Sequence, residues 1–273
     1  MQELPQGRKS RIEILEDTGA IKKTYNSNGN PAEKFRKEVG FYRQYSYSRV
    51  IPKLIGAESE THITIERVIG ERLADLLPLS RDKMELLSDE YTEKLVELFG
   101  RSTGIDRTVK QDYFDGIGAE EGLRLLHESL SRLCDQYDRH PITCDLLDSI
   151  TRVEIDEELL IKLDWNPENV FLRDGKIHRF IDFEQAFIGT RAILVGILLH
   201  NPVWPAQQLF GSLKEAGLFQ VSFSELRNYL CYSFATVLVD SIHRRGDIWQ
   251  VERLETAFER HVTARYNDVV SAS

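Results

Sequence analysis

Alternation dominates the first quarter of this chain and helical spacing dominates the rest. RIEIL, Arg11 to Leu15, alternates apolar and polar side chains. DTG then turns the chain and AIKKTY resumes extended structure, so residues 11–25 are predicted as a β-hairpin. NSNGNP breaks that pattern and starts a helix. Asn30 is its expected N-cap, Pro31 its first residue and Glu33 the third position of a capping box. The helix is predicted to run to about Tyr47, with Phe35, Val39, Tyr42 and Tyr45 or Ser46 on its apolar stripe. Two more strands are predicted near Lys53–Ala57 and His62–Val68, joined by the polar turn Glu58–Thr61, before Gly70 interrupts.

From Arg72 onward the spacing is helical. Leu86–Phe99 and Leu123–Tyr137 carry it clearly, the second placing Leu123, Leu126, Leu130, Leu133 and Tyr137 on one face together with His127. Further helices are predicted at Arg191–His200, Ala206–Ala216, Phe223–Arg244 and Ile248–Tyr266, punctuated by NPVWP and RRGD. The expected fold is α+β and two-lobed. Residues 1–68 form a small antiparallel sheet plus one helix, and residues 69–273 a larger, mainly helical lobe.

Composition narrows the partners. With 273 residues, 41% of them hydrophobic and 29% charged, the chain is ordinary for a globular protein. A net charge of −9 argues against nucleic acid, which calls for a basic footprint, and mildly favours a cationic small substrate. Cys134, Cys144 and Cys231 are odd in number and widely spaced, giving neither a zinc pattern nor a disulfide framework. The N-terminal residues lack an apolar signal region, and the longest apolar run, Ala192–Leu199, is far short of the roughly 20 residues that span a bilayer. The expected location is cytoplasmic, without a membrane partner.

The chemistry concentrates in residues 162–190. Asp174-Gly175 is a strong two-residue hairpin turn. Counting outward from it pairs Leu172 with Ile177, Val170 with Arg179 and Asn169 with Phe180, so Asn169, Phe180 and Asp182 share one face at the open end. Adjacent strands lie about 4.8 Å apart, so the Asn169 carbonyl oxygen and the Asp182 carboxylate together suit a hard cation. Asp164, in the loop five residues before Asn169, is placed to accept the proton of an attacking hydroxyl. Either fragment alone also reads as turn and strand-end residues around Pro167; it is their meeting on one hairpin that argues for chemistry.

Asp164-x4-Asn169, with Asp182 of Ile181-Asp182-Phe183 thirteen residues further on, resembles the catalytic core of the protein-kinase-like superfamily. Glu184 after Phe183, the short segment closed by Gly189 and the long separation from the first-lobe lysine look more like the aminoglycoside phosphotransferase and choline kinase branch. The resemblance covers about residues 10–195. It implies phosphoryl transfer from ATP, or another nucleoside triphosphate, to a hydroxyl of a small molecule that is aminoglycoside-, choline- or sugar-like. Asp164 would be the catalytic base, and Asn169 and Asp182 would hold Mg²⁺. The superfamily's Ala-x-Lys register selects Lys22 for the nucleotide phosphates, oriented by Glu38 on the inward helix face; backbone near Glu66 and Val68 would read the adenine edge. Asn166 takes the position of a lysine that contacts the γ-phosphate in protein kinases.

Three positions depart from the pattern. Lys162 stands where the family shows histidine, which implies a changed scaffold more than lost chemistry. No G-x-G-x-x-G precedes Lys22; the nearest candidate to cover phosphates is Gln6–Ser10. Thr190–Leu194 lacks the aspartate that often follows Gly189. Trp165 reads as core packing. These departures keep open a nucleotide-binding pseudokinase or regulatory partner-binding module, and a kinase acting on a macromolecule. For the acceptor, the acidic stretch Asp112–Glu128 reads either as a pocket for a cation or as a solvated face, and Asp240 in VLVDSIH either as a substrate contact or as a satisfied buried polar group.

Overall fold

The predicted strands of the first 65 residues all form. In the computed structural model they are β1 (Ser10–Ile14), β2 (Ile21–Tyr25), β3 (Leu54–Ser59) and β4 (His62–Ile65), one antiparallel sheet in the order β1-β2-β4-β3. Residues 10–26, 30–59, 61–102, 104–155, 157–245 and 249–271 are described; the candidate phosphate-covering stretch, Ser10 apart, lies outside them. Helix α1 (Pro31–Gln44) starts as its sequence dictates, the Asn30 side chain accepting the Glu33 N–H at 3.2 Å with Pro31 at the first position. It ends three residues before Tyr47, and Tyr45 beyond its end is fully buried, its hydroxyl donating to the Leu160 carbonyl at 2.6 Å.

Downstream come β5 (Glu71–Arg72), α2 (Leu73–Leu76), α3 (Arg81–Phe99), α4 (Arg107–Phe114), α5 (Ala119–Gln136) and α6 (Pro141–Ile150). Then follow β6 (Leu159–Lys162), a 3₁₀ turn at Pro167–Asn169, β7 (Val170–Arg173), β8 (Lys176–Phe180) and β9 (Ala186–Gly189). The chain closes with α7 (Arg191–His200), α8 (Ala206–Glu215), α9 (Phe223–Arg245), α10 (Val251–Phe258), a π-helical turn at Glu259–Thr263, and α11 (Ala264–Val270). No helix among the described residues is long and apolar enough to cross a membrane.

Packing groups these elements into two compact units. One comprises residues 1–80, 93–117 and 160–187; the other comprises 81–92, 118–159 and 188–273. This grouping differs from the chain-order division after residue 68, because the β7–β8 hairpin joins the unit that holds the first sheet.

In the first unit, Gly40 lets α1 and α4 approach closely: a Cβ there would lie 2.8 Å from both Tyr113 and Phe114 side-chain atoms. Gly70 similarly sits against β7, where a Cβ would come within 2.1 Å of the Leu172 carbonyl oxygen. That contact lets the chain leaving β4 add β5 to β7, giving a three-stranded sheet β5-β7-β8. In the second unit, α9 is the central helix, packed against α5, α6 and α7. Leu226, Leu230, Phe234 and Leu238, spaced by four, are all buried along it. The buried Arg265 guanidinium donates to the carbonyls of Leu199 at 2.7 Å and Asn201 at 3.1 Å, which the end of α7 leaves without helical partners, and to that of Trp204 in the following loop at 2.7 Å.

Candidate active site

Strand parity decides which lysine faces inward. Along β2, Ile21, Lys23 and Tyr25 are buried, while Lys22 and Thr24 lie on the other, half-exposed face. The ion pair expected of Lys22 is therefore made by Lys23. Its Nζ lies 2.7 Å from Glu38 Oε2, 2.6 Å from Asp182 Oδ1 and 3.6 Å from Glu184 Oε2. The family register Ala-x-Lys misplaced the residue by one; the alternation Ile21-x-Lys23-x-Tyr25 already carried the right answer.

Glu38 is where the helical spacing of α1 put it, on the inward face and with no exposed surface. Besides Lys23 it accepts from the hydroxyls of Tyr25 at 2.7 Å and Tyr42 at 3.5 Å. Burial, and then the Glu38 carboxylate, push both tyrosines well above the ordinary phenol range, so both remain donors. Burial pulls the Lys23 ammonium down, but Asp182, Glu38 and Glu184 outweigh it and hold its pKa above the usual lysine value.

The hairpin forms on the predicted turn, Asp174 and Gly175 having φ of 54° and 73°. Its register departs from the expectation. Phe171 pairs with Arg179 and Leu172 with Ile177, leaving His178 as an extra residue. Val170 consequently faces Phe180 instead of Arg179, and the Asn169 carbonyl accepts from Ile181 N–H at 3.0 Å instead of pairing with Phe180. The bulge shifts the open end of the hairpin by one residue. Asp182 follows in the left-handed region, φ 64°, with its side chain about one-third exposed.

The loop before β7 is tied to this end. Asn169 is buried, and its Nδ2 donates to the Asp164 carbonyl at 3.2 Å. The Asn166 N–H donates to Asp164 Oδ1 at 3.3 Å and its carbonyl accepts from Asn169 N–H at 2.9 Å, while the Asn166 side chain is exposed. What the structure shows of Asn166 is loop closure by its backbone.

Lys162 is the atypical brace. It is fully buried on β6, and its Nζ donates to the carbonyls of Ile181 at 2.8 Å and Asp182 at 3.1 Å. It sits 5.0 Å from the ring centres of both Trp165 and Phe183. Trp165 returns a bond, its indole N–H donating to the Lys162 carbonyl at 2.8 Å, and is core as expected. Phe183 stacks on Phe41 of α1, 4.1 Å between ring centres, which joins the Asp182 segment to the helix that carries Glu38. Burial lowers the Lys162 pKa to about 8, against the pull of Asp164, Asp182 and Glu38. Neither its bonds nor its aromatic contacts followed from the sequence; a lysine two residues before Asp164 signals only that the usual side chain is replaced.

In the segment after β4, Glu66 is engaged through its amide, which donates to the Lys53 carbonyl at 2.8 Å, and through its carboxylate, which accepts from Lys53 N–H at 3.1 Å and lies 3.4 Å from Arg179. Val68 lies in the irregular segment between β4 and β5. In the acidic stretch, Glu121 and Glu128 both pair with Arg124 on the exposed face of α5, the pattern of a solvated helix surface. Asp240 is half-buried on α9. The missing aspartate after Gly189 is replaced locally by Thr190, whose hydroxyl accepts from Ile193 N–H at 3.2 Å and caps α7.

Glu38, Asp182 and Glu184 each place a carboxylate oxygen within 4.8 Å of the others. Three carboxylates face the Lys23 ammonium there, with the Lys162 ammonium on the Asp182 carbonyl, and the remaining negative charge fits a divalent cation on the side where Asp182 is open to solvent.

No family model matches the chain, and no curated protein matches it. Solved structures do. The ADP-bound aminoglycoside phosphotransferase APH(2'')-Ib superposes with a TM-score of 0.65 at 14% identity, covering 98% of this chain and 93% of that one. APH(2'')-IIa in a ternary complex with streptomycin and ATP gives 0.62 at 13% identity, with 98% and 92% covered. The macrolide 2'-phosphotransferase MphH from Brachybacterium faecium gives 0.63 at 12% identity, with 98% and 90% covered. The likeness runs nearly end to end, well beyond the motifs in residues 162–190, and it carries the small antiparallel sheet and the larger helical part alike. This chain therefore has the protein-kinase-like fold of the aminoglycoside phosphotransferases.

Proposed function

We propose that this chain transfers the γ-phosphoryl group of ATP, with Mg²⁺, to a hydroxyl of a small molecule. The observation that carries the reading is Lys23 held between Glu38 and Asp182, in a chain whose fold neighbours are phosphotransferases that include ADP- and ATP-bound structures. Lys23, fixed by Glu38, is the group for the nucleotide phosphates. The adenine edge falls to the Glu66 carbonyl and the Val68 backbone, since the Glu66 amide is already engaged.

Asn169 and Asp182 are the proposed metal ligands; Mg²⁺, when bound, supplies neutralisation of phosphate charge. Asp164 is the base. Its Oδ1 accepts from Asn166 N–H, so Oδ2 is the atom assigned to take the acceptor's hydroxyl proton. Asn166 serves by closing that loop. Lys162 holds the Ile181 and Asp182 carbonyls, so the backbone that presents the metal carboxylate is fixed from behind by a cation where the family uses an imidazole. The net charge of −9 suits a cationic acceptor, and aminoglycosides, choline and aminosugars are the first to try.

The test is ADP release by purified protein with Mg²⁺ and ATP across a panel of hydroxylated metabolites and antibiotics. Acceptor-dependent turnover supports the reading. Metal-dependent ATP binding without transfer to any acceptor would assign the protein to nucleotide sensing instead.

A further inference from the structure

The α5–α6 connection brings together two thiols ten residues apart in sequence. At the end of α5 the Arg139 N–H donates to the Cys134 carbonyl at 2.7 Å and the Asp138 N–H to the Asp135 carbonyl at 3.1 Å. Asp138 and Arg139 take φ of 49° and 56°, two successive left-handed residues without a glycine, a costly turn that reverses the chain at once. His140 then caps α6, its Nδ1 accepting from Ile142 N–H at 3.3 Å. So the last turn of α5 lies beside the first turn of α6. The Sγ atoms of Cys134 and Cys144 end 3.1 Å apart, about 1 Å beyond the length of a covalent S–S bond. Cys134 is buried and Cys144 is partly exposed, while Cys231 is wholly buried. Sequence spacing gave no sign of this pair, because the turn that joins it has none of the usual glycine or asparagine signals.

We propose that Cys134 and Cys144 form a thiol–disulfide pair, oxidised through Cys144 by a low-molecular-weight disulfide. Cys144, its proton released, attacks one sulfur of that disulfide; one thiolate leaves and a mixed disulfide stays on Cys144. Cys134, losing its proton, attacks Cys144 Sγ, forming the protein S–S bond and expelling the second thiolate. The two expelled thiolates take up the two protons. Two protein thiols are oxidised and one external disulfide is reduced to two thiols. The partial exposure of Cys144 makes it the entry point, and the contact with Cys134 lets the second step follow without moving either helix. The adjoining sulfur and burial raise the Cys144 thiol above its ordinary value, which slows the first attack. Asp145, next in sequence, binds Arg227 of α9 at 2.5 and 2.9 Å, so the staple would fix a turn already anchored to the central helix.

The test incubates the reduced full-length protein with excess oxidised glutathione for hours, then denatures it, alkylates it and maps its peptides. The expected result is a single alkylated cysteine, Cys231, a peptide pair joined through Cys134 and Cys144, and reversal by dithiothreitol. Melting should rise by a few degrees on oxidation and return on reduction. Cys134→Ser should instead keep a glutathione adduct on Cys144, and Cys144→Ser should leave Cys134 unmodified. A lasting glutathione adduct on Cys144 in the unaltered chain, alkylation of all three cysteines, or linkage only between chains would each overturn the proposal.

Discussion

Lys23→Met and Lys22→Met, made side by side, separate the two neighbouring lysines by their energetics. Removing the Lys23 ammonium takes an ion-pair partner from Glu38, which has no exposed surface, and from Glu184, 4% exposed. Breaking a buried pair from one side costs about 3–5 kcal/mol, because the remaining charge keeps its desolvation penalty. Asp182 adds little, since a third of its side chain is in water. Lys22 lies on the half-exposed face, so its loss should stay within about 0.5 kcal/mol.

Urea melts at neutral pH measure the Lys23→Met deficit, and a thermal scan should place the variant about 10 °C below the parent. The same variant should lose nucleotide binding while Lys22→Met keeps it. Equal effects of the two substitutions, or a larger one at Lys22, would refute the parity argument.

Three further outcomes follow from other contacts. His200 is held at a pKa of about 3 by burial, then by His261 and Arg265. The unfolded chain takes up a proton there near pH 6.5 that the folded chain refuses, so stability is complete above that pH and falls by up to about 1.4 kcal/mol per unit below it; His200→Phe should flatten that slope in urea melts between pH ~7 and ~5. Lys162→Met leaves the Ile181 and Asp182 carbonyls without a donor but relieves a buried ammonium, so the net loss of stability should be about 2 kcal/mol or less, with a fall of about tenfold in kcat and a smaller change in ADP affinity by calorimetry. Gly40→Ala forces a Cβ to within 2.8 Å of Tyr113 and Phe114, and chemical denaturation should show a loss of about 1–3 kcal/mol.

Local signals read well where the chain obeys them. The Asn30 cap, the Asp174-Gly175 turn, the inward Glu38 and the limits of α7 all follow from residue type and spacing. The errors have identifiable physical sources. Lys22 was preferred over Lys23 because a motif register was set above the alternation of its own strand. The hairpin pairing slipped because the bulge at His178 has no glycine or proline to announce it. Helix α4, eight residues long, is too brief for periodicity to stand out from the polar sequence around it. What lay beyond sequence altogether is long-range: Lys162 meets carbonyls about twenty residues away, and Lys23 meets a carboxylate 159 residues away.

In the proposed reaction the Asp164 carboxylate takes a proton from an acceptor hydroxyl while Lys23, Asn169 and Asp182 hold the nucleotide and its metal. Asp164→Asn keeps the shape of the loop, including an oxygen able to accept the Asn166 N–H, and removes only the basic charge. With an acceptor found by the panel, turnover should fall by about 10²–10⁴-fold while Mg²⁺-dependent ATP affinity stays within about threefold. Turnover unchanged in Asp164→Asn, with binding intact, would contradict it.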